Sequence, residues 1–180
     1  VKPRTQQCNA LTDAEAPPSE RMTLAGLASR PMVLTLLAPA GDAYRWNFQL
    51  PATDGIRREA RIRSRSRLTV SHWGGDVDVA ARVAGELADN GARHGRPFSD
   101  GSVSLRLIVL PETGELLVQV DDAAPTFPGF EAAVRGGPES GLGLVQRQGV
   151  KLDWYVLQEG GDVVGKTVQA VVSGCWDEAA

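Results

Sequence analysis

The run from Val79 to His94, Val-Ala-Ala-Arg-Val-Ala-Gly-Glu-Leu-Ala-Asp-Asn-Gly-Ala-Arg-His, constrains the fold more than any other segment. Val79, Val83 and Leu87 recur at helical spacing, Asp76 or Asp78 can cap the start, and Gly95 with Pro97 ends the helix. On this helix Glu86, Asn90 and His94 stand four residues apart, so a carboxylate, an amide and an imidazole share one face in a stripe roughly 12 Å long. A carboxylate can take a proton from an attacking hydroxyl, and an amide oxygen one turn away can ligate Mg2+ between phosphates. That pairing suits phosphoryl transfer, although such a triplet taken alone is more often a solvated helix face.

The downstream segments add to it. Glu115 to Asp121 alternates with the period of a strand and ends in Asp121-Asp122 and a turn. An Asp at a strand end can accept a hydrogen bond from the exocyclic amine of adenine. A loop rich in Gly and Pro follows from Pro125 to Ser140, ending in Gly141-Leu142-Gly143-Leu144-Val145, which opens a helix predicted to run to about Gln148. Glycines before a helix start let backbone approach a phosphate, and the free N–H groups and dipole there favour anions. Finally, Gly165-Lys166-Thr167 places a cation and a hydroxyl in the last strand pair.

This ordered set resembles the histidine-kinase-like (Bergerat) ATPase superfamily over roughly Tyr44 to Ser173. Glu86 to His94 is similar to its N box, Asp122-Ala-Ala-Pro125 to its adenine-binding motif and Gly141 to Val145 to its second glycine box. Within the superfamily the small size and the ending Gly-Lys-Thr-Val-Gln-Ala-Val-Val look most like anti-sigma-factor serine kinases. The resemblance implies a fold, a two-layer α/β sandwich with a mixed, largely antiparallel sheet and helices on one face. It implies ATP and Mg2+ as cofactors, with Glu86 as general base, Asn90 as the Mg2+ ligand and His94 near the phosphates or the lid. Asp122 would read the base, with Ala124 beside it. Gly141, Leu142 and Gly143 would meet the phosphates, and Lys166 and Thr167 would sit beside either end of the nucleotide. Three positions depart from the family pattern: Ala124 stands where Gly is usual, Gly91 where Ala is usual, and Glu139 where the lid begins with Gly. Ala124 would crowd the base, Gly91 loosens the helix by roughly 0.5–1 kcal/mol, and Glu139 would repel a triphosphate.

Gly160 to Thr167 also satisfies the spacing of a P-loop. A P-loop must open a helix, yet Thr167 to Ser173 alternates like a strand, so a Gly-rich hairpin from Gly160 to Gly165 is expected instead.

At 180 residues and 42% hydrophobic content the chain can bury one sizeable core, filled mainly by aliphatics. A net charge of -3 and a pI near 5.4 argue against direct binding to nucleic acid or anionic lipid. Cys8 and Cys175 are isolated, with no CxxC pair to suggest zinc or a disulfide framework. Residues 1–43 form an N-terminal extension, its first 22 residues expected to be disordered, and 44–180 form the ATPase-like domain. Met32 to Leu37 is predicted to be a strand used as a sheet edge or dimer contact. Val1 to Arg21 has no targeting character and Arg30-Pro31 breaks the next apolar stretch, so a cytoplasmic protein without a membrane span is expected.

Further strands are predicted at Tyr44 to Leu50, Ser102 to Leu110, Leu152 to Leu157 and Lys166 to Val172, with a helix from Thr53 to about His72. That helix carries Arg57, Arg58, Arg61, Arg63, Arg65 and Arg67, which read as a solvated face ahead of a contact for an acidic protein. Trp46, Trp73, Trp154 and Trp176 are expected to pack rather than to stack on bases. Neither His72 nor His94 is followed by the acid that a phospho-acceptor histidine requires, so a complete histidine kinase is not indicated. Two functions stay open. One is an anti-sigma factor that binds an RNA polymerase sigma factor as a homodimer and phosphorylates an antagonist protein on Ser. The other is a non-catalytic sigma-binding or partner-switching module with a degenerate nucleotide site.

Overall fold

The structure, a computed structural model, describes residues 44–136 and 140–174. The expected strand at Met32 to Leu37, the rest of the N-terminal extension, Glu139, Cys8, Cys175 and Trp176 lie outside the described residues. Nine elements follow in order: β1 (Arg45–Pro51), α1 (Ile56–Val70), α2 (Val77–Arg93), β2 (Ser102–Val109), β3 (Leu116–Asp122), α3 (Phe130–Arg135), α4 (Gly141–Gln146), β4 (Lys151–Glu159) and β5 (Asp162–Val172). The strands form one sheet in the order β1-β2-β3-β5-β4. All four pairings are antiparallel, so the sheet is not mixed. Each strand pairs with at least one sequence neighbour, β3 with β5 is the pairing between strands apart in sequence, and no parallel crossover arises among the described residues.

The alternation along the strands decides which face the helices cover. Leu50, Val103, Leu105, Leu107, Leu116, Val118, Val120, Val168, Ala170 and Val172 all join one core with Ile56, Leu68, Val83, Leu87 and Ala88 from the helices. These strand positions share one parity, so α1 and α2 pack on one side of the sheet and the expected two-layer α/β sandwich is present. Burial of each Leu or Val in this layer contributes roughly 1.5–3 kcal/mol. The opposite face is polar: Gln119 Nε2 donates to the Tyr155 hydroxyl, and Asp121 Oδ1 accepts from Thr167 Oγ1 and from Arg106. Trp73 is in the core, and Trp46 and Trp154 pack against it.

Asp76 caps α2, its carboxylate accepting from the N–H groups of Asp78 and Val79. The helix runs unbroken through Gly91 to Arg93. The β4–β5 turn consists of Gly160 and Gly161, both at positive φ, and β5 begins at Asp162. The P-loop spacing is thus a hairpin followed by strand, with a tighter turn than the hairpin from Gly160 to Gly165 predicted. The segment after Pro125 is less irregular than expected, because α3 forms within it. Phe130 is buried and Ala133 and Val134 pack against the core, an anchoring that local sequence signals underweight. No helix among the described residues is long and apolar enough to cross a membrane.

Candidate functional site

A cleft of about 610 Å3 opens between α2 and a wall formed by Thr126 to Gly129, Ala133 and Ser140 to Leu142. Glu86, Asn90 and His94 from α2 line it, as do Gly141 and Leu142 from the start of α4 and Arg57 from α1. The four-residue spacing read from the sequence therefore does bring these side chains to one place. Gly143 is buried one residue further on, where its N–H donates to the capping Ser140 Oγ, and Ser140 in turn donates to the Ala133 carbonyl. The cap ties α4 to α3.

Glu86 is only 4% exposed. Arg61 donates to its Oε1 at 2.7 Å, and Arg57 lies 3.4 Å from its Oε2. Oε2 itself has no hydrogen-bond partner among the described residues. A Cβ on Gly141 would stand 2.8 Å from that oxygen, so the absence of a side chain there is what lets the first turn of α4 close over the carboxylate. Asp89 lies next to it on α2, accepting from Arg57 at 2.5 Å and from Arg93 at 2.9 Å. The hydrogen bond to Asp89 raises the Arg57 pKa above its ordinary value, against the opposing effect of burial. Two arginines of α1 thus reach across to α2, where the sequence suggested a solvated helix face. Asp89 was missed in the sequence, although its four-residue spacing from Arg93 was available as a signal. Asn90 is 9% exposed, and its Nδ2 is buried without a partner beside the cleft. His94 caps the end of α2 and is exposed.

The residues assigned to base recognition lie elsewhere. Asp122 ends β3 with no exposed surface, and Lys166 of β5 stands directly opposite it in the strand register. Lys166 Nζ donates to both Asp122 oxygens at 2.7 Å. Oδ1 also accepts from the Ala124 N–H at 2.9 Å and the Arg96 N–H at 3.4 Å. Ala124 follows on the turn, partly buried, and none of Asp122, Ala124 and Lys166 lines the cleft. Thr167 points to the other face of the sheet, where it donates to Asp121. Asn90, whose Nδ2 has no partner among the described residues, fits a phosphate oxygen as acceptor. Asp122 does not fit the base end, since Oδ1 already accepts three hydrogen bonds and Oδ2 one, from Lys166.

No family model matches the chain, and no match exists among the curated proteins. The solved structures to which the chain shows similarity include two histidine kinases. The histidine kinase domain of a blue-light activated histidine kinase from Erythrobacter litoralis matches with a TM-score of 0.38 and 22% identity, over 54% of this chain and 44% of its own. The mycobacterial sensor histidine kinase MprB matches with a TM-score of 0.43 and 18% identity, over 73% of this chain and 99% of its own. The chain therefore spans less than half the length of the first of these.

Proposed function

We propose that this chain is a regulatory protein-binding domain of the anti-sigma type, which holds an RNA polymerase sigma factor and yields it to an antagonist protein without transferring a phosphoryl group. The state of Glu86 carries this reading. A general base has to come within hydrogen-bond reach, about 3 Å, of the hydroxyl it deprotonates. Glu86 is instead buried, ion-paired to Arg61, flanked by Arg57 and covered by the backbone of Gly141. In this arrangement two guanidinium groups and the Gly141 backbone compete with an incoming serine hydroxyl for the carboxylate. The ordered motifs from Glu86 to Thr167 support the sigma factor as partner, and the same resemblance supports a homodimer in the cytoplasm.

The unpartnered Asn90 Nδ2 favours the second reading, a serine kinase using ATP and Mg2+, because an N–H donor in that place suits a phosphate oxygen. The two separate in one experiment. Purified chain and its Glu86→Gln variant are titrated with sigma factors and then incubated with labelled ATP, Mg2+ and candidate antagonists. Sigma binding without nucleotide, equal in both proteins, and no label on any antagonist is the expected result. Serine labelling by the wild-type protein that disappears in Glu86→Gln would establish the kinase instead.

A further inference from the structure

We propose that Lys166, which stands behind the cleft-lining ring of Phe127, takes the acceptor bonds on Asp122 that an adenine amine entering from the cleft would need, and so selects against adenine nucleotides. The inference deepens the reading of the cleft given above, and concerns nucleotide selection rather than the protein partner. It rests on geometry. A carboxylate accepts along about four lone-pair directions. In Asp122 the Lys166 ammonium engages both oxygens, and Oδ1 is also directed at the N–H groups of Ala124 and Arg96.

The enclosure is steric as well. A Cβ on Gly165 would fall 2.0 Å from the Asp122 carbonyl oxygen, and one on Gly95 would fall 2.5 Å from Asp122 Oδ2. Backbone therefore closes on the carboxylate from the turn after α2, while β5 lies tight against the main chain of Asp122. Above the ammonium lies the ring of Phe127, its centroid 5.4 Å from Nζ. Phe127 is held edge-on by Phe130 at 5.2 Å and tilted against Trp154 at 6.3 Å. An adenine amine would have to expel a lysine that is 2% exposed, strand its charge, and displace an aromatic cluster from the core. The cost of that exchange is what selects against the base.

Isothermal titration of Mg-ATP and of the Mg2+ complex of purine riboside triphosphate, which lacks the 6-amino group, into the full chain and into Lys166→Thr tests this, with circular dichroism to establish folding. Wild-type protein should show no preference for Mg-ATP, and Lys166→Thr should bind Mg-ATP tighter than wild type by about tenfold or more while purine riboside triphosphate gains nothing, since it has no amine to donate to the freed carboxylate. Wild-type binding that prefers Mg-ATP, or a folded Lys166→Thr that gains no affinity for it, would overturn the proposal. Should Lys166→Thr not fold, the nitrogen NMR signal of the wild-type Lys166 ammonium decides it. That signal should be unaffected by millimolar Mg-ATP, and its displacement in step with binding would overturn the proposal. The outcome is independent of the phosphorylation test, because a chain can bind ATP without transferring phosphate.

Discussion

Glu86 and Asp122 are both buried carboxylates satisfied by cations from another element, yet the two sites are built differently. Asp122 faces one lysine that is itself buried, and its oxygens receive four hydrogen bonds. Glu86 faces two arginines that remain over two-fifths exposed, and one of its oxygens has no hydrogen bond. Arginine reaches such a site with a long stem while its head keeps water, so the Glu86 pair can open at the edge of the cleft. The Asp122 pair has no such route. One is a latch at the cleft, the other a fixed part of the sheet.

The strongest way to break this comparison is to strand one partner of the inner pair. Lys166→Met should lower unfolding free energy by about 3–5 kcal/mol, since it leaves an uncompensated buried carboxylate. Adding Asp122→Asn should restore much of that loss. Urea denaturation of both variants checks it, and a loss in Lys166→Met as small as that of a surface substitution would show that water reaches Asp122. Arg61→Ala should cost less, about 1 kcal/mol, because Arg57 stays near Glu86 and solvent is close. Equal losses at the two sites, measured in the same way, would erase the distinction drawn here.

The smallest effect is expected on the polar face, where burial lifts the Asp121 carboxyl above its ordinary 3.8, outweighing the lowering influence of Arg106 and Thr167. The folded chain then holds this proton to higher pH than the unfolded chain does. The stabilisation from this group is full below its unfolded pKa and is lost as pH rises through its folded value. Asp121→Asn removes the loss. Its stability relative to wild type should therefore be more favourable at neutral pH than in acid below 3.8, measured by thermal melts across that range. An acid-favoured variant would show that the Arg106 pairing dominates instead.

Much of the layout was legible in the chain. The α2 helix, its Asp76 cap, the strands of the sheet and the hairpin in place of a P-loop all follow from periodicity and turn residues, which act over a few positions. So does the convergence of Glu86, Asn90 and His94, because a single helix fixes their spacing. The α3 helix was less legible, since six residues form a weak local signal and Phe130 holds them through the core. Strand direction was also beyond local pattern, because alternation reads the same in parallel and antiparallel sheets.

The sequence by itself determined which segments are helix and strand, which faces are apolar, and that a carboxylate, an amide and an imidazole share one side of α2. Only the tertiary structure decided what those groups meet. Lys166 stands opposite Asp122 through cross-strand register over 44 positions, and Arg57 and Arg61 reach Asp89 and Glu86 from a separate helix. Residue type and spacing specify what a side chain can bond, but a buried carboxylate takes whichever donor packing brings within reach. At Glu86 in the cleft and at Asp122 outside its lining, that donor came from the chain itself.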